Sequence, residues 1–174
     1  MKIKEILEAY SGREAETTGA PTAEEIAVRE KIEALAVRVN KCFTELVLPA
    51  VFDVENDLNQ AGYWNQLNIG QSTSPESGKP NIKEVSLSFY PEKGDTLTVE
   101  PRSDALVYRA RIAATGNLRE LWFCLRFPKR IPPAVETADE IVPVEAVTTA
   151  RVDAFLERFI KEALDAFNSD RMLR

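Results

Sequence analysis

The chain has 174 residues, 44% of them hydrophobic, with a formal net charge of -6 and no histidine. That length suits one domain able to bury roughly 70% of the surface its unfolded chain exposes. The missing imidazole excludes His-based triads, His general acid-base catalysis and imidazole-ligated metal sites.

The acidic balance opposes counterion-release binding to nucleic acid and attraction to anionic membranes, so neither is expected as a partner. No apolar stretch approaches the roughly 20 residues of a membrane span. Lys2, Lys4 and Glu5 stand where a signal peptide needs an apolar core, so a cytoplasmic chain is expected. The two cysteines, Cys42 and Cys124, lie in apolar periodic segments and read as free buried thiols rather than a disulfide framework.

Ile3, Ile6, Leu7 and Tyr10 share a helical face, which predicts a short helix over 1–11 closed by Ser11-Gly12. With the polar stretch behind it, 1–21 is expected to be a partly mobile lead-in to a single domain over 1–174. Thr22 and Glu25 form a capping-box pattern that starts a long helix. Along it Val28, Ile32, Leu35, Val39, Cys42, Leu46 and Pro49 alternate steps of 4 and 3, a heptad-like seam. Pro49 predicts a kink or break, and Gly62 is the natural stop after Val51, Val54 and Leu58.

From residue 63 the period becomes two. Strands are predicted near Trp64–Ile69, Lys83–Tyr90, Thr96–Val99, Asp104–Ala113 and Leu118–Phe127, with 70–81 a flexible loop rich in serine, proline and glycine. Val85, Leu87 and Phe89 share one side of their strand; Ser86, Ser88 and Tyr90 share the other. A two-residue Thr115-Gly116 turn would pair Ala114 with Asn117, Tyr108 with Phe123 and Ala110 with Leu121. On the opposite surface it would set Arg111 against Glu120 and Arg109 against Trp122, a salt bridge and a cation-π pair. The proline-rich 128–143 suits an extended crossing rather than a central strand. Thr149 is expected to cap a last helix whose stripe is Val152, Phe155, Leu156, Phe159, Ile160, Ala163, Leu164 and Phe167.

These elements predict an α+β two-layer sandwich: an antiparallel meander of about five strands, with the long N-terminal helix and the C-terminal amphipathic helix on one face. The other face is left open.

Three motifs bear on chemistry. Cys124 and Arg130 have the C-x5-R spacing of cysteine-dependent phosphatases, but Cys124 falls in a strand and Pro128 deletes a donor from the would-be phosphate loop. Asp53, Glu55 and Asp57 alternate like a calcium loop, yet Leu58 stands where that loop needs glycine, so a solvated helix surface is the better reading. Arg126, Lys129 and Arg130 form a basic cluster, and Arg109 and Arg111 point to the same side of the sheet as Arg126.

The expected function is a non-catalytic protein-interaction module, adaptor or chaperone-like. It would use the exposed sheet face around Arg109, Arg111, Trp122, Arg126 and Tyr90 to hold an acidic or aromatic partner segment. The alternative is a small anionic ligand in a pocket between sheet and long helix, gated by 70–81. An enzyme ranks behind both, and no cofactor or metal is expected. A second copy of the chain, pairing through the 23–48 helix, is a further possible partner.

Overall fold

The protein is described by a computed structural model covering residues 2–16, 19–128 and 137–172. The helices are α1 (Lys2–Glu16), α2 (Ala23–Cys42), α3 (Leu48–Ala61) and α4 (Thr149–Met172). The strands are β1 (Asn65–Thr73), β2 (Pro80–Phe89), β3 (Tyr108–Ala114), β4 (Glu120–Arg126) and β5 (Thr137–Pro143). The chain divides into two compact units, 1–32 and 33–174, with the boundary inside α2. No described helix is long and apolar enough to cross a membrane.

In the first unit α1 runs on to Glu16, past the stop expected at Ser11-Gly12. Its Ile3, Ile6 and Leu7 are exposed. The start of α2 is the expected capping box: Glu25 N-H donates to Thr22 Oγ1, and Thr22 N-H donates to Glu25 Oε2, each at 3.2 Å.

The second unit is an antiparallel sheet in the order β1-β2-β3-β4-β5, a meander with helices packed on one face, as the sequence pattern implies. The seam of the long helix is not one surface, however. Val28 and Ile32 are 57% and 53% exposed, whereas Val39 and Cys42 are buried in the core of the second unit. The seam of the 23–48 helix therefore changes surroundings along its length, exposed at Val28 and Ile32 and buried from Val39 onward.

Pro49 does not break the path either. Ahead of it lies a π-helical turn, Phe43–Val47, in which Leu48 N-H donates to Phe43 C=O five residues back. Pro49 then sits in the first turn of α3, where its missing N-H leaves no bond unmade. A four-residue step overshoots a turn of α-helix by about 40°. The wider π turn absorbs that drift, so Val39, Phe43, Val47 and Val51 all stay buried. Gly62 ends α3 in the left-handed region, φ 84°, as the sequence predicts.

Three further differences have local causes. Half of 70–81 is strand rather than loop: β1 continues to Thr73 and β2 begins at Pro80, leaving 74–79 as the turn, with the extra residue Lys83 opposite the Gly70/Gln71 step. Thr96–Val99 forms no strand, only a bridge between Lys93 and Thr98; the fifth strand is β5, at the sheet edge, where proline is tolerated. The β3-β4 register is shifted by four residues from the two-residue-turn expectation. Thr115 N-H donates to Glu120 C=O, and Leu118 takes φ 59° to close the longer turn. Because four is even, every side chain keeps its expected face.

The last helix buries the expected stripe, with Val152, Phe155, Leu156, Phe159 and Ala163 in the core. Its cap is Thr148, one residue earlier than predicted, whose Oγ1 accepts from Arg151 N-H. Phe155 stands edge-on to Phe123 at 5.1 Å between ring centroids, and Phe159 edge-on to Phe89 at 6.2 Å.

Two substitutions test this frame by urea unfolding. Phe159→Ala should cost about 3–5 kcal/mol through loss of a fully buried ring. Gly62→Ala should cost about 1–2 kcal/mol because an L residue resists the left-handed conformation. A Phe159→Ala loss below about 1 kcal/mol would contradict the placement of α4.

Candidate functional site

The pleat sends Leu121, Phe123 and Leu125 of β4 and Tyr108, Ala110 and Ile112 of β3 into the core. The alternate residues must then face the other way. Two rows of this open face follow from the register. One is Gln66, Ser88, Arg109 and Arg126; the next is Asn68, Ser86, Arg111 and Cys124. A third holds Gly70, Glu84, Ala113, Trp122 and Ile141. Four of the five site residues predicted from sequence, Arg109, Arg111, Trp122 and Arg126, are thus brought together on adjacent strands.

Their partners differ from those expected. Arg111 lies four residues along the strand pair from Glu120 because of the register shift. It binds Glu84 instead, with 2.5 Å between Nε and Oε1, diagonally across β2-β3. Arg109 does not stack on Trp122. It leans toward β2, donating from Nε to Ser88 Oγ at 3.2 Å, and its cross-strand neighbour on β4 is Arg126. Trp122 is flanked by Ala113 and Ile141.

Small residues lie beneath these long side chains: Ser88 and Cys124 are each 1% exposed, and Ser86 and Ala113 are also buried. The three arginines and Trp122 are half-buried over them. Among the described residues no carboxylate pairs with Arg109 or Arg126. The two arginines are direct cross-strand neighbours, and like charges at such a pair of positions repel, which costs the isolated sheet stability. On the same face, Trp122 Nε1 is buried without a hydrogen-bond acceptor.

Tyr90 is the exception to the expected site. β2 ends at Phe89 and Pro91 follows, so the pleat no longer fixes its side, and its ring packs edge-on against Phe167 of α4 at 5.9 Å. Its hydroxyl donates to Glu92 Oε2 at 2.8 Å. Tyr90 belongs instead to a recess of about 190 Å³ at the sheet end, walled by Tyr108 and Phe167 and rimmed by Glu92, Asp170 and Arg171. Pattern reading missed this recess because its walls come from segments distant in sequence.

Lys129 and Arg130 lie outside the described residues, so the C-x5-R pair and the rest of the basic cluster cannot be placed. Cys124 is buried in the sheet, with Sγ donating to Arg111 C=O at 3.7 Å. Burial pushes the Cys42 thiol above its ordinary value, with Glu45 adding to the rise and Arg38 opposing it. Asp53, Glu55 and Asp57 all lie on α3, and no group of His, Cys, Asp or Glu among the described residues is arranged to hold a metal.

The fold and this face define an α+β sandwich domain whose second sheet surface, open among the described residues, carries arginines over a floor of small side chains. No protein-family model, curated protein or solved structure matches the chain.

Trp122→Phe removes the orphan indole N-H at little loss of area and should change unfolding stability by less than about 1 kcal/mol. A loss above about 2 kcal/mol would show that the N-H has an acceptor. The Cys42 shift carries a sign. A thiol whose folded value is raised contributes stability in full below its unfolded value, and that contribution is lost as pH rises past 9.0. Urea midpoints should therefore fall more steeply above that pH for the native protein than for Cys42→Ala.

Proposed function

We propose that the protein is a non-catalytic interaction module that holds an acidic segment of a partner protein on its open sheet face. The observation that carries this reading is the Arg109–Arg126 pair: two half-buried guanidinium groups on neighbouring strands with no carboxylate between them among the described residues. A carboxylate-bearing partner relieves their repulsion and gains bidentate hydrogen bonds. Trp122, with Ile141 exposed beside it, supplies apolar area one row away. Glu84 already neutralises Arg111, so Arg111 orients the platform more than it attracts.

The small-ligand alternative draws less support from the geometry. The segment 70–81 forms the turn end of the β1-β2 hairpin, at the Pro80 end of β2. The recess lies at the Tyr90 end, about 30 Å along the strand at 3.3 Å per residue, too far for that hairpin to gate it. With Glu92 and Asp170 against one Arg171, its rim is also poorly suited to an anion. Buried free thiols at Cys42 and Cys124 fit the reducing cytoplasm, where this reading places the domain.

The test is titration with a glutamate-rich peptide carrying one aromatic residue, followed by the fluorescence of Trp122 in a Trp64→Phe background. Binding should weaken with salt. Arg109→Ala/Arg126→Ala should reduce affinity by roughly tenfold or more while the unfolding transition is retained. An unresponsive Trp122, or equal affinity in the folded double variant, would overturn the reading.

A further inference from the structure

The two edges of the sheet are built differently. β5, at one edge, contains Glu140 and Pro143, a charge and a proline of the kind by which sheets deter further pairing. β1, at the other edge, spans nine residues, Asn65–Thr73, with no charge and no proline. This neutral stretch belongs to a chain whose net charge is -6.

The hydrogen-bond phase of β1 can be read from its start. Tyr90 N-H donates to Trp64 C=O, so Trp64 faces Tyr90 as a hydrogen-bonded pair just before the Asn65–Phe89 pairing. Alternation in an antiparallel ladder then turns the backbone groups of Gln66 and Asn68 inward to β2 and those of Leu67 and Ile69 outward. No described group bonds the outward N-H and C=O of Leu67 and Ile69. The side chains agree: Gln66 and Asn68 are exposed on the open face, and Ile69, on the core side, is still 41% exposed.

We propose that β1 pairs antiparallel with β1 of a second copy, about a twofold axis through Asn68, joining two five-stranded sheets into one. The segment is self-complementary about that axis. Leu67 of one copy meets Ile69 of the other, and the two exchange both outward N-H to C=O bonds; the reverse pair does the same across the axis. The same pairing covers the exposed Ile69 with Leu67 on the core side. On the open face the two Asn68 carboxamides meet as a close, non-hydrogen-bonded backbone pair, within reach of each other. Because the edge is neutral, the contact opposes no like charges, whereas an edge like β5 would. This interface is independent of the arginine face, which stays open in each copy.

Sedimentation of the full chain over a dilution series tests the assignment. The native protein should show twice the chain mass at its concentrated end. Asn68→Lys places two like charges opposite each other at the axis and should raise the dissociation constant by roughly tenfold or more with the fold intact. Mild oxidation of Asn68→Cys should link two chains through the new thiol, and Gln66→Cys should not, since Gln66 faces Gly70 of the other copy. A native protein of single-chain mass throughout would overturn the proposal. So would a dimer that folded Asn68→Lys leaves intact, which would point to the exposed Val28–Ile32 stripe, or linkage through Gln66→Cys rather than Asn68→Cys.

Discussion

The second unit depends on the burial of one aromatic stripe of α4. Phe155 and Phe159 each meet a phenylalanine on the sheet, Phe123 on β4 and Phe89 on β2, and all four rings are buried. Those contacts fix which side of each strand is inside. Once Phe123 is inside, the period of two leaves Trp122, Cys124 and Arg126 no choice but the opposite face. The helical run from residue 33 to 61 completes the same layer, and the π turn before Pro49 keeps its buried side aligned through the change of helix type.

The open face therefore follows from the core, but its chemistry does not. A face that served only to solvate the sheet would alternate charges across strands, as Arg111 and Glu84 do. Arg109 and Arg126 break that rule side by side, on a face whose small residues Ser86, Ser88, Ala113 and Cys124 are buried. A local conflict of this kind, set in an otherwise consistent fold, is the feature on which the proposed binding role rests.

Much of this was legible in the sequence. The stripe of α4, the capping box at Thr22, the stop at Gly62 and the inward residues of β2, β3 and β4 all follow from periodicity and local chemistry. The faces are the same in the observed β3-β4 register as in the one a two-residue turn implies, because side-chain alternation tolerates an even shift. What periodicity does not carry is pairing. The turn after Ala114 is decided by Leu118 accepting a positive φ, which nothing about a leucine announces. For the same reason periodicity gives the side of the sheet that Arg109 and Arg111 occupy but not their partners. Tyr90 lies past the end of its strand, where alternation no longer applies. The recess it lines joins the segment just after β2, the start of β3 and the end of α4, a meeting that only the folded chain creates.

The account stands most directly on where an acidic ligand touches the molecule. Backbone amide shifts recorded while the labelled protein is titrated with a glutamate-rich, aromatic-bearing peptide would map that contact. The account predicts shifts concentrated at 86–88, 109–111 and 122–126, with the α4 stripe unmoved. Shifts centred on Tyr90, Glu92, Phe167 and Asp170 instead would contradict it and make the recess at the sheet end the binding site.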